Sequence, residues 1–169
     1  MNKNNNIYVK TGFGIAAFCV FMGAFASHIL KEMIEPADIV TFDTGTKYMF
    51  YHAMAISFIS LSNRKFHQNI LDLTMFLFLS GIIFFTGSLY LLATRTIWGD
   101  ESYTWLGALT PIGGVLFVSA WVILISKGFV KAGDEKSTGL LKKKKHKNRK
   151  SRTANMINES NVAEEIIAK

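Results

Sequence analysis

Four stretches of apolar residues, separated by short polar segments, occupy most of the chain. They cover about residues 11–30, 47–63, 70–93 and 105–126. A helix rises about 1.5 Å per residue, so about 20 apolar residues cross the hydrocarbon core of a bilayer. The second stretch is the shortest, and reaches that length only if Lys47 and Arg64 extend to the two interfaces. The pattern predicts an all-α integral membrane protein, a bundle of four transmembrane helices.

Two prolines modify this picture. The Glu35-Pro36 step ends any helix that continues from the first stretch, because proline disfavours helical backbone at the residue before it. A short interfacial helix can start at Pro36, before the second stretch. Pro111 lies inside the fourth stretch and lacks the N–H that a helix interior needs, so the sequence predicts a kink there.

Charge is distributed unevenly along the chain. Residues 1–126 carry 7 basic and 7 acidic side chains, whereas residues 127–169 carry 12 basic and 5 acidic ones. Lys and Arg concentrate on the cytoplasmic side of membrane proteins. We therefore predict that both termini lie inside, with residues 1–10 as a cytoplasmic segment and residues 127–169 as a largely disordered cytoplasmic tail. The expected location is a bacterial inner membrane, or an organelle membrane in a eukaryote.

The tail contains a dense basic block within residues 142–152. Its members are Lys142, Lys143, Lys144, Lys145, Lys147, Arg149, Lys150 and Arg152. A block of like charge is normally solvated, and each Lys or Arg near an anionic membrane surface adds about 1 kcal/mol of attraction. We expect this block to contact anionic lipid headgroups, while the helices contact the bilayer. Nucleic acid is a weaker alternative, since no aromatic residue is interleaved for base stacking.

The first stretch also fits a cleaved signal peptide. It follows Lys3 and Lys10, has an apolar region of suitable length, and contains Ala24-Phe25-Ala26, which fits an A-x-A cleavage site. In this alternative the other three spans keep their orientation.

Polar side chains near the predicted outer ends of the spans form the candidate site. They are His28, Tyr51, His52, Ser88, Tyr90 and Thr110. Polar groups in hydrocarbon need partners, so we expect these side chains to converge in the outer leaflet. The two histidines are either neutral residues that hold the helices together or part of a site for a ligand, a proton or a metal. Two histidines without a third ligand make an incomplete zinc site, so we predict no metal and no cofactor.

Small residues predict where helices approach each other closely. One candidate is Gly12, with Ala16 one helical turn later. The others are Gly23, Gly81, Gly87, Gly113 and Gly114. Without a hydrophobic force between helices in lipid, small residues allow the backbone contact that holds a bundle together.

Motifs that would indicate catalysis are absent from the sequence. It contains no G-x-S-x-G, no H-E-x-x-H and no glycine-rich phosphate loop, and Cys19 is its single cysteine. This favours a non-enzymatic protein that is structural or binds partners in the membrane, either further copies of itself or other membrane proteins. The alternative is a small carrier, or a ligand-binding or proton-binding protein, that uses the cluster around His28 and His52.

Four runs of sequence resemble a known family. They are GAFASHIL (23–30), FDTGTKYMFYHAMA (42–55), GIIFFTGSLYLLA (81–93) and LGALTPIGGVLF (106–117). The runs are similar to the domain of unknown function 423 family, which is related to transmembrane protein 256, over about residues 11–126. The resemblance implies a four-helix bacterial inner-membrane protein, or an organelle relative, without an established activity. The family pattern continues through the supposed cleavage point and so disfavours the signal-peptide alternative.

The resemblance also assigns individual positions. It places the family's histidine on His28, its Tyr-His pair on Tyr51 and His52, and its T-P-I-G-G turn on residues 110–114. Ala26 and Ser27 stand where the family has Gly-Ala. The basic tail is not part of the family pattern.

Overall fold

The computed structural model describes residues 3–62, 65–99 and 101–129. Within these ranges the chain is helical, and the one feature of β type is an isolated bridge between Phe66 and Phe129. Four long helices account for most of it: α1 (Lys3–His28), α2 (Pro36–Leu61), α3 (Gln68–Ala93) and α4 (Trp105–Gly128). The all-α prediction is confirmed. The predicted basic block at 142–152 lies outside the described residues.

The start of α2 differs from the predicted second span. Pro36 stands in the first turn, where its missing N–H costs nothing, and Glu35 before it has the extended backbone that proline favours. From there α2 continues to Leu61 as one helix of 26 residues. The predicted interfacial helix and residues 47–61 of the predicted second span are therefore parts of a single helix.

α3 and α4 change helix type along their length. α3 widens into a π-helical segment over Ile82–Thr86 before returning to α-helix. α4 continues the 3₁₀ segment Glu101–Ala108 into an α-helix over Leu109–Ile123. Pro111 falls in the first turn of that α-helix and replaces no interior hydrogen bond. The change from 3₁₀ to α geometry lies just before Pro111, between Ala108 and Leu109, and the kink at Pro111 stays a prediction.

Consecutive helices run in opposite directions. The side-chain amide of Gln68 donates to Oδ1 of Asn5 at 3.1 Å, so α1 and α3 start at the same end of the bundle. At that end the N–H of His67 donates to the carbonyl of Gly128 at 2.8 Å, which places the end of α4 there too. We call this the first end, and the opposite one the second end.

The helices have the length and the surface of membrane spans. Asn5–Glu32, Gln68–Ala93 and Trp105–Gly128 are long and apolar enough to cross a membrane. α2 joins the second end to the first, so it crosses the same distance. Side chains that are at least 60% exposed on the four helices include Val20, Phe21, Phe58, Phe76, Ile83, Val115, Val118 and Ile125. Such a surface is stable against lipid, and the chain is a multi-pass membrane protein.

Two apolar clusters fill the interior. The larger one contains Met75, Phe78 and Phe117 and joins α2, α3 and α4. The smaller one contains Leu30 and Phe42 and lies at the second end. α1 packs mainly against α2, so much of its circumference faces outward.

Candidate functional site

The structure brings two of the six predicted site residues together. The hydroxyl of Ser88 donates to the carbonyl of Phe85 at 3.0 Å, and its oxygen lies 2.8 Å from the hydroxyl of Thr110. Because the single proton of Ser88 is already used, Thr110 donates to Ser88. This hydrogen bond joins α3 to α4.

Tyr90 forms a second, separate contact between α3 and α2. Its hydroxyl lies 2.8 Å from Oγ1 of Thr46, which itself donates to the carbonyl of Phe42 at 3.2 Å. Tyr90 is therefore the donor to Thr46. The ring of Tyr90 stacks on that of Phe42, with centroids 4.1 Å apart. Gly45 permits this approach, since a Cβ there would lie 3.2 Å from the Tyr90 ring.

His52 is buried among aromatic rings. Its ring lies nearly parallel to that of Phe117, with centroids 3.5 Å apart and planes inclined by 8°. Nδ1 lies 2.7 Å from the carbonyl oxygen of Tyr48. A carbonyl only accepts, so Nδ1 carries a proton, and in the neutral ring Nε2 keeps a lone pair. The rings of Phe78 and Trp121 lie 5.4 and 6.4 Å away.

His28 and Tyr51 face outward. His28 is the last residue of α1 and is exposed, and Tyr51 is 60% exposed. An imidazole at a helix C-terminus is compatible with the negative end of the helix dipole.

The structure does not bring His28 and His52 together. Phe25, one turn before His28, lies with its ring 6.5 Å from that of Phe42. His52 comes ten residues after Phe42 on α2, which is about 15 Å along the axis at about 1.5 Å per residue. His28 is thus at the second end, whereas His52 lies at the level of the middle of α3 and α4. The six side chains were expected to converge in the outer leaflet, but in the structure they lie at separate places.

A polar group at the first end was missed by the sequence reasoning. Gln68 donates to Asn5 and also to Oδ1 of Asp72, at 3.1 and 2.9 Å. Asn5 is 2% exposed, and Tyr8 lies beside Asp72. The sequence feature that marks this group is the run of asparagines before the first apolar stretch. By itself such a run is typical of a solvated terminus, and only the packing of α3 against it shows that it is buried.

The glycines differ in what surrounds them. A Cβ on Gly113 would lie 2.6 Å from Cβ of Phe85, and one on Gly81 would lie 2.6 Å from the Phe117 ring. These two mark real helix contacts. A Cβ on Gly23 or Gly87 would meet no atom within 4 Å, and one on Gly114 would only touch the Phe85 ring, at 4.0 Å.

A third close approach joins α1 to α2 at Gly12. A Cβ there would clash with Oγ of Ser57 and lie 2.7 Å from the carbonyl oxygen of Ala53.

Metal ligands do not gather anywhere in the described ranges in groups of three or more.

Comparison with known proteins gives a consistent result. The model of the family "Protein of unknown function (DUF423)" matches residues 22–114. A UPF0382 membrane protein of Haemophilus influenzae is 36% identical over 131 residues, covering 76% of this chain and 94% of its own. One of Staphylococcus aureus is 35% identical, covering 75% and 98%, and the Bacillus subtilis protein YwdK is 30% identical, covering 70% and 93%. No solved structure matches.

Proposed function

Because the chain belongs to the DUF423 family of membrane proteins, we propose that it serves as a structural or partner-binding component of the membrane and does not catalyse a reaction. The family description assigns it no activity, in agreement with the resemblance noted in the sequence.

One observation carries the proposal: the bundle satisfies its own polar groups. Within the described ranges, every fully shielded side-chain nitrogen or oxygen has a hydrogen-bond partner. The pairs Thr110–Ser88 and Tyr90–Thr46 join neighbouring helices. Polar residues that serve transport line a water-filled path and exchange partners. Here they instead fix the positions of the helices.

The charge distribution supports an orientation with both termini inside. The first end contains the start of α1 and the end of α4, and Lys65 and Lys127 are exposed there. The tail that follows adds most of the chain's excess basic charge. By the positive-inside rule the first end faces the cytoplasm.

The alternative, a small carrier or a ligand- or proton-binding protein, is favoured by one feature. In its neutral form, the ring of His52 presents a lone pair on Nε2 in the middle of the bundle, between α2 and α4. A histidine at that depth is a candidate for proton exchange. Variants of His52 can therefore distinguish the two proposed functions experimentally.

The first experiment measures flux. Purified full-length protein is reconstituted into vesicles that enclose a pH-sensitive dye, and proton flux is followed between pH 5 and 8, with and without small organic solutes or divalent metals. We expect no flux above that of empty vesicles. Flux that is lost in His52→Phe and kept in His28→Phe would contradict the proposal and establish the alternative.

The second experiment looks for partners in living cells. A photocrosslinking amino acid replaces Phe21, Phe76 or Val118, which are exposed on three different helices. A structural or partner-binding bundle should give discrete adducts to one protein species from one of these faces only. Adducts to lipid alone from all three positions would contradict the proposal.

A further inference from the structure

One side of α2 faces outward from Val40 to Phe58. Its residues follow one another at alternating spacings of four and three positions, the spacing with which a helix presents a continuous seam to another helix. Val40, Tyr51 and Phe58 are 66, 60 and 60% exposed, and Lys47 is exposed as well. We call this seam the α2 face, and its residues are Val40, Thr44, Lys47, Tyr51, Met54 and Phe58.

Two opposite charges lie on this side of α2. Lys47 belongs to the α2 face, and the partly exposed Asp43 comes one helical turn before it, on the same side of the helix. Asp and Lys four positions apart can pair along one helix. The ion pairs among the described residues, however, include neither Asp43 nor Lys47. Within that part of the chain, both charges therefore lack a counter-ion.

Both charges lie at membrane depth. Thr86 donates to the carbonyl of Gly45 at 3.2 Å, so Gly45 is level with a residue seven positions before the end of α3. At about 1.5 Å per residue, Asp43 lies about 8 Å and Lys47 about 14 Å from the second end of α3. α3 is about 39 Å long, whereas the hydrocarbon core is about 30 Å thick. With the excess divided between the two ends, both charges fall within the core, where ionisable side chains need partners.

We propose that the α2 face binds the α2 face of a second copy of this chain, about a two-fold axis along the membrane normal. Two copies inserted in the same orientation have their α2 faces at the same depth. Helix side chains lean toward the N-terminus of their helix, which for α2 is the second end. The ammonium group of Lys47 therefore reaches the level of the partner's Asp43, and the axis repeats this pair.

The charges favour a second copy over any other occupant. A two-fold interface uses the same patch on both subunits, so the patch must contain both members of each pair. Asp43 and Lys47 meet this condition, and the four charges of the dimer sum to zero. Lipid tails offer Lys47 no counter-ion, and a different membrane protein would need a matching pair of charges at the same depth.

The inference goes beyond the proposed function and does not depend on it, since a structural bundle and a carrier can each be a dimer. Proton flux that is lost in His52→Phe would contradict the proposed function and leave the dimer unaffected. Failure of the dimer measurements below would leave the flux result unaffected.

The first test reverses the charges. Full-length chains fused at the C-terminus to a donor or an acceptor fluorescent protein are reconstituted together in phosphatidylcholine vesicles, and energy transfer is measured against the protein-to-lipid ratio. Asp43→Lys and Lys47→Asp each bring like charges together. Each should weaken self-association at least about tenfold, since one polar pair between membrane helices contributes a factor of about three to ten. Lys10→Asp, the same change at an exposed lysine of α1, is the control and should have no effect.

Mixing the two variants distinguishes pairing between copies from pairing within one copy. A mixture of Asp43→Lys chains with Lys47→Asp chains brings two lysines of one chain against two aspartates of the other. This mixture should associate at least as strongly as the wild type, although neither variant does so alone. The double variant Asp43→Lys/Lys47→Asp should also regain the wild-type association.

The second test locates the contact while both charges are intact. Tyr51→Cys places a thiol on the α2 face, and the native Cys19 is only 4% exposed. Oxidation by copper phenanthroline in vesicles should join Tyr51→Cys chains into dimers. Phe76→Cys is the control, since its site on α3 is 66% exposed and lies outside the α2 face, and it should stay monomeric. This measurement is decisive even if a charge variant fails to fold.

Three results would overturn the proposal. Energy transfer no greater than that of randomly placed chains would mean a monomer whose Lys47 extends alone to the interface. Single reversals that associate like the wild type, or a mixture that regains nothing, would mean that the charges do not pair between copies. Crosslinking through Phe76→Cys but not through Tyr51→Cys would place the contact on another face.

Discussion

The imidazole of His52 lies flat against the ring of Phe117, and this contact joins α2 to α4, two helices that have few other direct contacts. The hydrogen bond to the Tyr48 carbonyl fixes the orientation of the imidazole. His52 therefore connects helices that are otherwise held together through α3. Replacing His52 should therefore lower the free energy of unfolding of the bundle.

The first prediction separates stacking from hydrogen bonding at His52. His52→Phe keeps a flat ring and loses only the hydrogen bond to the Tyr48 carbonyl of the same helix, so it should cost less than about 1 kcal/mol. His52→Ala leaves a cavity and should cost about 2–4 kcal/mol. The measurement is the free energy of unfolding in detergent micelles. Equal losses in both variants would show that the nitrogen atoms, and not the stacking, stabilise the site.

The second prediction concerns two adjacent glycines of α4. Gly113→Ala places a methyl group against the backbone and Cβ of Phe85, so α3 and α4 must move apart, at a cost of about 1–3 kcal/mol. Gly114→Ala meets only the far edge of the Phe85 ring and should change stability by less than about 0.5 kcal/mol. Thermal unfolding of both variants checks this. If Gly114→Ala were the more harmful change, the register of α4 against α3 would be different.

The third prediction applies the same comparison to α1. Gly12→Ala should weaken the α1–α2 contact, because its methyl group would meet Ser57 and the Ala53 carbonyl. Gly23→Ala has open space around it and should be neutral in the monomer. Cysteine crosslinking between α1 and α2 gives the readout. A strong effect of Gly23→Ala on association in detergent would instead assign that glycine to contact between copies.

The fourth prediction measures the hydrogen bond between Ser88 and Thr110. A double-mutant cycle with Ser88→Ala and Thr110→Val should give a coupling energy of about 0.6 kcal/mol, the average for such bonds in membrane proteins. Unfolding of the four proteins under one set of conditions supplies the values. A coupling energy of zero would mean that the two hydroxyls find other partners in the membrane.

The fifth prediction concerns Asp38 and Arg95. The Asp38 side chain is only 11% exposed, so Arg95→Leu would leave a shielded carboxylate without its cation and should cost about 1–2 kcal/mol. Arg95→Lys should restore part of the loss. Lys31→Leu is the control, since its pair with Glu32 is mostly exposed and contributes little. Equal stability of Arg95→Leu and wild type would show that Asp38 is hydrated.

The number and type of helices could be predicted because a span must be long and apolar, and three of the four are. The single helix Pro36–Leu61 could not, because its first half carries Asp38, Asp43 and Lys47 and resembles an interfacial segment. Its continuity depends on packing, with Phe42 under Tyr90 and Met49 in the main core. Hydrophobic pattern does not contain that information.

The chemical type of the site residues was evident from the sequence, but their depth was not. Placing two side chains at one level requires the axial offset between helices. That offset is set by contacts such as Gly12 with Ala53 and Gly113 with Phe85. Counting from predicted span ends placed His52 near the outer surface, whereas the earlier start of α2 moves it inward.

The charged first half of α2 has a consequence for biogenesis. Each Asp or Lys at the centre of a lone helix costs about 2.5–3.5 kcal/mol on insertion by the translocon, so α2 is a poor insertion signal by itself. Residues 11–28 of α1 contain no Asp, Glu, Lys or Arg, and α1 packs along α2. The two helices should therefore enter the membrane together as a hairpin, with α1 stabilising α2 as it inserts.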